Sequence, residues 1–232
     1  MAAKSPVVLI LGAGPNIGAG VAKAFASKGY NIGLAARSVK SSEDTDTQVN
    51  IAADFSRTED VVNAFDVVKK KFGIPHVVVY NVSVAHFTPA EDPFALSLGE
   101  LRADNEVNIF GAFVAAQQAV QGFTQLPSSA ARAFITTGNV LNVAVLPKFL
   151  SQNVGKSGAS GIIATAAEAY AGKGYKFYYA DERKPDGAPK YRVDGEAHGK
   201  LYYELAHGEK QGPWHQTFVT GQGYTKFENS RL

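Results

Sequence analysis

The chain has 232 residues, a formal net charge of +2 and no cysteine. This length suits one α/β domain, and the lack of cysteine excludes disulfides, thiol catalysis and cysteine-ligated metal. No basic run is longer than the three lysines of residues 69–71, which suit the end of a helix. No apolar stretch approaches the ~20 residues of a membrane span, and the N-terminus lacks a signal-peptide core. We therefore expect a cytoplasmic protein with no metal, nucleic-acid or membrane partner.

The first predicted strand, residues 7–11, runs directly into a glycine-rich turn between Gly12 and Gly18. Apolar residues such as Val21 and Phe25 then recur at helical spacing. Glycine adopts backbone angles closed to other residues and lets backbone N–H groups approach a pyrophosphate. The positive end of the following helix points to the same place. This order predicts a dinucleotide site, and an ordinary tight turn is the alternative.

Strands and helices alternate along the rest of the chain. The further predicted strands are residues 31–36, 50–54, 76–80, 133–137, 175–180 and 214–220. The predicted helices are residues 17–28, a helix capped by Thr58, the zone 98–123, and residues 153–171 and 195–207. The alternation predicts an α/β fold, a single Rossmann-type doubly wound parallel sheet with helices on both faces. Ligands of such sheets bind past the carboxyl ends of the strands.

We expect residues 1–232 to form a single NAD(P)-binding domain, because no linker divides the chain. Residues 181–232 nevertheless differ in character, since they hold the sole tryptophan and three of the five histidines. This segment is interpreted as a divergent tail that completes the sheet and covers the mouth of the active site.

Over residues 5–180 the chain resembles the short-chain dehydrogenase/reductase family. The family's Thr-Gly-x-x-x-Gly-x-Gly loop matches Leu11-Gly12-Ala13-Gly14-Pro15-Asn16-Ile17-Gly18, with leucine for threonine and asparagine for the middle glycine. Asparagine tolerates left-handed backbone angles better than most residues, so we expect the loop to keep its conformation with asparagine at this position. We assign cofactor binding to this loop and to the ends of the next strands: Gly12, Gly14, Asn16, Ile17, Gly18, Arg37, Ser38, Asp54, Phe55, Asn81, Val82 and Ser83.

The resemblance also implies roles for single residues. Asp54 falls on the family's adenine-contacting aspartate, and Asn81 opens its Asn-Asn-Ala-Gly turn. Asn108 matches the helix asparagine that holds a water in the proton relay, and Thr137 stands for the substrate-orienting serine. Lys156 opens a small-residue helix like the one that carries the catalytic lysine, which holds the nicotinamide ribose.

The end of the second predicted strand indicates the type of cofactor. NAD-binding proteins of this architecture usually place an acidic residue there, to bond the ribose 2′-hydroxyl. This chain has Ala36-Arg37-Ser38 instead. An arginine fork and a hydroxyl suit a 2′-phosphate, so we predict NADP(H) rather than NAD(H). The alternative is that Arg37 is an ordinary exposed cation.

The family's Tyr-x-x-x-Lys motif is absent. Lys156 would require tyrosine at position 152, where the chain has Gln152, and none of its ten tyrosines precedes a lysine by four residues. Glutamine can hydrogen-bond a carbonyl but is no general acid near neutral pH. The catalytic positions Asn108, Thr137, Gln152 and Lys156 therefore define an atypical site.

Three functions stay open at this point. The first is NADPH-dependent reduction of a carbonyl or enone in a small-molecule substrate, with a substitute acid. The candidate acids are Tyr178, Tyr179, His86, Lys156 and a water held by Asn108. The second is non-redox isomerase, lyase or cyclase chemistry on the same scaffold. The third is a catalytically inactive NADP-binding protein.

The resemblance further implies a homodimer or homotetramer, formed through the helical zone 98–123 and the helix after Lys156. Small residues on that helix would permit close packing between subunits: Gly158, Ala159, Gly161, Ala164, Ala166 and Ala167. The alternative is that they pack on the chain's own sheet.

Overall fold

A computed structural model describes residues 5–227. It contains one eight-stranded sheet whose strands are β1 (Val7–Leu11), β2 (Asn31–Ala36), β3 (Gln48–Ala52), β4 (Val77–Tyr80), β5 (Ala133–Thr137), β6 (Lys176–Glu182), β7 (His215–Val219) and β8 (Gly223–Tyr224). Their order is β3-β2-β1-β4-β5-β6-β7-β8, and all neighbours are parallel except the antiparallel pair β7–β8. The predicted doubly wound, Rossmann-type parallel sheet is confirmed.

Six α-helices connect the strands: α1 (Ile17–Ala26), α2 (Thr58–Lys71), α3 (Leu98–Asn105), α4 (Ala112–Phe123), α5 (Leu150–Tyr170) and α6 (Gly195–His207). A single turn of π-helix, Glu106–Gly111, joins α3 to α4. No helix within residues 5–227 is long and apolar enough to cross a membrane.

Side chains of the sheet alternate between two cores, as the two-residue period of a strand requires. Val7, Leu9 and Leu11 pack with α2, α4 and α5 on one face. Val8 and Ile10 pack with α1 and α6 on the other. β1 and β4 in the middle of the sheet are buried on both faces, which explains why their sequences are apolar throughout.

Several predicted boundaries were wrong. Thr58 does not cap α2 but is its first residue, and Arg57 occupies the cap position without a side-chain hydrogen bond. The third strand begins at Gln48 and ends at Ala52. The sixth strand continues two residues past Ala180, because hydrogen bonds to β7 extend to Glu182.

Candidate functional site

The glycine loop bends sharply at the end of β1. Gly12 has φ +91°, a left-handed conformation that favours glycine. A Cβ on Gly12 would lie 2.7 Å from the backbone of Asn81, so the loop and the end of β4 need glycine there to approach each other. The Asn81 side chain secures this approach, because its Nδ2 donates to the Gly12 carbonyl over 2.8 Å.

Two other glycines of the loop have different surroundings. A Cβ on Gly18 would lie 2.8 Å from the backbone of Ala13, so this glycine lets α1 fold back onto the loop. Gly14 has no heavy atom within 4 Å of such a Cβ and faces open space. No side chain caps α1. The Ala19 N–H donates to the Gly14 carbonyl over 3.0 Å, so the N–H groups of Ile17 and Gly18 are the ones at the start of α1 that are available to an anion.

Asn16, which replaces the family's middle glycine, has a structural task. Its Nδ2 donates to the Val193 carbonyl over 3.0 Å, and its Oδ1 accepts from the Gly195 N–H over 3.1 Å. Asn16 thus links the start of α1 to the start of α6. Any contact of Asn16 with a cofactor would come from its backbone, because its side chain is already paired.

Arg37 and Ser38 are exposed just beyond the end of β2. Asp54 lies near Arg37. Hydrogen bonds from Ser56 lower the pKa of the Asp54 carboxyl. The Phe55 ring is buried in the core against Tyr80, so only its backbone could face a cofactor.

The turn after β4 is held by Asn108 on the π-helical turn. Asn108 Nδ2 donates to the Val84 carbonyl over 2.8 Å, and its Oδ1 accepts from the Val84 N–H over 3.1 Å. A Cβ on Gly155 would lie 2.7 Å from the Asn108 side chain, so glycine lets α5 pack against this turn. Val82 packs against the core, whereas Ser83 is exposed.

A cavity of about 310 Å³ opens at the carboxyl ends of β4, β5 and β6. It brings together six of the predicted site residues: Ile17, Asn81, Ser83, Thr137, Gln152 and Lys156. Arg37, Ser38, Asp54 and Phe55 lie outside it, at the ends of β2 and β3. Its wall also contains apolar side chains, among them Leu141, Leu146 and Phe149.

Lys156 is buried at the cavity wall. Its Nζ donates to the Thr137 carbonyl over 3.0 Å. Burial lowers the pKa of Lys156 to about 8, although the carboxylate of Asp181 opposes this shift. A lysine with such a pKa exists in both protonation states near neutral pH and can exchange a proton.

Gln152 and Thr137, the two other predicted catalytic residues at the cavity, each form one side-chain hydrogen bond. Gln152 Nε2 donates to Ser83 Oγ over 3.3 Å, across the cavity from α5 to the β4 turn. Thr137 Oγ1 lies 2.8 Å from the hydroxyl of Tyr202, a buried residue of α6. The Thr137 hydroxyl is therefore already paired, unlike a free substrate-orienting group.

Three candidate acids do not line the cavity. The Tyr178 hydroxyl accepts from the Gly212 N–H on the α1–α6 face of the sheet. The Tyr179 hydroxyl bonds the backbone of Asn139, and burial raises its pKa well above the ordinary value. His86 pairs with buried Asp104 over 2.8 Å, at the protein surface.

Sequence reasoning assigned no role to the two carboxylates at the end of β6. Asp181 and Glu182 line the cavity although both are buried. Their position at the carboxyl end of a strand was a usable signal. Lys190 and His198 also line the cavity, and no local pattern marks them.

These residues fit a dinucleotide. The open space at Gly14 and the uncapped start of α1 would accept a pyrophosphate, and the neighbouring cavity would accept the ring that carries the chemistry. Within residues 5–227, no group of three His, Asp or Glu side chains could hold a metal ion.

Comparisons with known proteins agree with this architecture. A family model described as Enoyl-(Acyl carrier protein) reductase matches residues 12–179. A short chain dehydrogenase/reductase, dmxR12, from Cryptosporiopsis sp. (strain 8999) is 43% identical over 96% of this chain and 95% of its own length. The chain belongs to the short-chain dehydrogenase/reductase family of oxidoreductases.

Solved structures show the same fold at lower identity. The 3-ketoacyl-(acyl-carrier-protein) reductase of Brucella melitensis complexed with NADH has a TM-score of 0.75 and 18% identity, covering 94% of this chain and 98% of its own. An alcohol dehydrogenase from Thermococcus sibiricus complexed with 5-hydroxy-NADP has a TM-score of 0.74 and 20% identity, covering 97% and 100%.

Proposed function

We propose that the protein is an NADPH-dependent reductase of carbonyl or enone groups with an atypical active site. Its family is one of oxidoreductases, and two structures of the same fold are complexed with NADH and with 5-hydroxy-NADP. Arg37 and Ser38 are free to meet a 2′-phosphate at the end of β2, which favours NADP(H). Bound NADPH would supply the hydride.

The observation that carries the proposal is the position of Lys156. Of the side chains considered as substitutes for the missing tyrosine, Lys156 alone lines the cavity, and its pKa of about 8 suits proton donation near neutral pH. A carbonyl carbon that had received this hydride would leave the carbonyl electron pair on oxygen, which would need a proton. An N–H bond of the Lys156 ammonium then breaks, an O–H bond forms, and water returns a proton to the neutral amine.

The other predicted residues would bind the substrate or position the cofactor for this step. Gln152 can donate its Nε2–H to a substrate carbonyl in the cavity. Asn81 and Ile17 would position the nicotinamide side of the cofactor, whereas Asn108 holds the turn that carries Ser83. The apolar wall of Leu141, Leu146 and Phe149 favours a small-molecule substrate with an apolar body.

A Lys156→Met variant tests the proposal. At saturating NADPH we expect its NADPH oxidation, followed by absorbance against a panel of carbonyl and enone compounds, to fall about 10²- to 10⁴-fold, because the proton donor is lost. NADPH affinity, measured by fluorescence titration, should also weaken, because Lys156 holds the ribose. Lys173→Met, at an exposed lysine beyond the far end of α5, is the matched control and should behave as the parent.

Two outcomes would refute the proposal. One is undiminished turnover in Lys156→Met with NADPH saturating. The other is tight NADPH binding by the parent without oxidation of NADPH by any compound of the panel. Conversion of a substrate without change at the nicotinamide absorbance band would instead support non-redox chemistry.

We further propose a homodimer or homotetramer formed through α4 and α5. An open apolar groove of about 580 Å³ lies between these helices, where Gly161 and Ala166 sit opposite half-exposed Phe113. Gly158 packs within the chain instead, because a Cβ there would meet Ile109 of the same chain at 2.5 Å.

A single domain over residues 1–232 and a cytoplasmic location stay predictions.

A further inference from the structure

Asp181 lies on the catalytic side of the sheet. Thr137, whose carbonyl accepts from Lys156, pairs in register with Ala180, one residue before Asp181. Side chains alternate along a strand, so Asp181 points to the same face as Tyr179, toward α5. Asp181 and Lys156 are both buried, and both line the cavity.

The two carboxylate oxygens of Asp181 have unequal surroundings. Oδ2 accepts from Arg183 Nε over 2.6 Å and lies 3.6 Å from His215 Nε2. Oδ1 is buried and has no hydrogen-bond partner among residues 5–227. A buried acceptor without a partner is unusual in a native protein and calls for a specific explanation.

The neighbouring carboxylate gives a contrast. Glu182 Oε1 accepts from Lys190 over 2.6 Å and from the Thr220 hydroxyl, and its Oε2 accepts from the Asp194 N–H over 2.7 Å. Glu182 is thereby fully occupied in holding the segment between β6 and α6. Asp181 retains an unpaired oxygen beside the cavity.

The remaining groups around Lys156 leave Asp181 as its counter-charge. The other charged or titratable side chains around the cavity are Tyr179, Glu182, Arg183, Lys190, Tyr191, His198, Tyr202 and His215. Burial raises the pKa of Tyr179 and of Tyr202, so these two stay neutral, and burial lowers the pKa of His198. Arg183 and Lys190 are cations that pair with Asp181 and Glu182 respectively.

We propose that Asp181 is a positioning residue that keeps Lys156 protonated at the cavity wall. This inference rests on the proposed function, in which Lys156 donates a proton. The carboxylate opposes the desolvation that would otherwise leave Lys156 as a neutral amine. Asp181 itself transfers no proton in this proposal.

The test titrates Lys156 directly in an Asp181→Asn variant. Competitive labelling with acetic anhydride, read by mass spectrometry of the peptide that contains Lys156, reports the neutral amine as a function of pH without any turnover. The exposed Lys200 gives an internal reference for the reagent. We expect the midpoint for Lys156 to fall by about one pH unit or more, because an opposite charge is removed.

Glu182→Gln is the matched control, since it removes the adjacent buried carboxylate and should move the midpoint much less. Asp181→Asn leaves Arg183 buried without its partner and can destabilise the fold. Asp181→Asn/Arg183→Met removes both charges; in a folded protein, verified by circular dichroism, its midpoint should still fall, but by less, because the loss of a neighbouring cation opposes the shift.

An unchanged midpoint in either folded variant would overturn the inference, as would an equal shift in Glu182→Gln. Because labelling needs no substrate, this failure is distinct from failure of the proposed function. If Lys156→Met retained full turnover, the proton-donor proposal would fail even if Asp181 controlled the titration of Lys156.

Discussion

The glycine loop and the end of β6 lie at the same edge of the sheet, but different interactions hold them. A close backbone approach shapes the loop, where Gly12 lies too near the Asn81 backbone to carry a side chain and the Asn81 amide secures the contact. Side-chain pairs fix the end of β6, where Asp181 and Glu182 are buried against Arg183 and Lys190, two and eight residues further along the chain. The first arrangement leaves open space at Gly14, where we propose that a ligand's phosphates bind, whereas the second places charge beside Lys156, the proposed proton donor.

The two regions therefore differ in what a substitution would disturb. At the loop, position 12 must lack a side chain, so a substitution there changes the shape of the backbone. At the end of β6, buried carboxylates need paired cations, and a substitution there is expected to change the protonation of neighbouring side chains.

Among the variants that compare these two regions, Arg37→Asp at the cofactor end is expected to have the largest effect. Replacing an exposed guanidinium with a carboxylate removes a charge-assisted partner of the 2′-phosphate and adds repulsion. Such hydrogen bonds contribute about 1.5–3 kcal/mol, so NADPH affinity should fall roughly 10- to 100-fold. NADH affinity should change little when both are measured by fluorescence titration. An unaltered ratio of the two affinities would refute the assignment of NADP(H).

Gly12→Ala and Gly14→Ala form a second, matched test. Gly12→Ala should lower the free energy of unfolding by more than about 1 kcal/mol, because φ is +91° and the Cβ would strike the Asn81 backbone. Gly14→Ala should leave stability near that of the parent, because its Cβ would meet open space. We expect it to weaken NADPH binding instead.

Urea unfolding and NADPH titration measure both properties. Equal stability of the two variants would contradict the close approach at Gly12, and unchanged NADPH affinity in Gly14→Ala would contradict the cofactor site.

A smaller effect is expected from Asp194→Ala near the β6 end. Asp194 Oδ1 accepts from the N–H groups of Glu196 and Ala197 at the start of α6. Loss of such a cap costs about 1 kcal/mol, which should appear as a lower urea midpoint. Asp186→Ala, in the same segment but exposed, is the control. Equal midpoints for the two variants would show that the cap contributes nothing.

The parts of the site that depend on local sequence could be predicted. The spacing of apolar residues and glycines over residues 7–26 predicts the strand, the turn and the helix found there. The four apolar residues of β4 predict a strand that is covered on both faces. The polar residues that follow β4 and β5 were placed at the correct edge, because parallel strands end together.

The rest depends on pairs far apart in the chain. Asn16 fits a phosphate loop by sequence, but its side chain binds the segment at Val193 and Gly195, about 180 residues away. The sixth strand was predicted too short because carboxylates are seldom buried. Asp181 and Glu182 are buried because Arg183 and Lys190 neutralise them, and a single sequence does not show the second of these pairs.

The pH dependence of NADPH oxidation at saturating NADPH and carbonyl substrate tests the central claim most directly. Lys156 donates only while protonated, and burial lowers its pKa to about 8. The rate should therefore be highest below this value and fall as pH rises through about 8. A rate that stays constant to pH 10, or that increases between pH 7 and pH 9, would contradict a proton donated by Lys156.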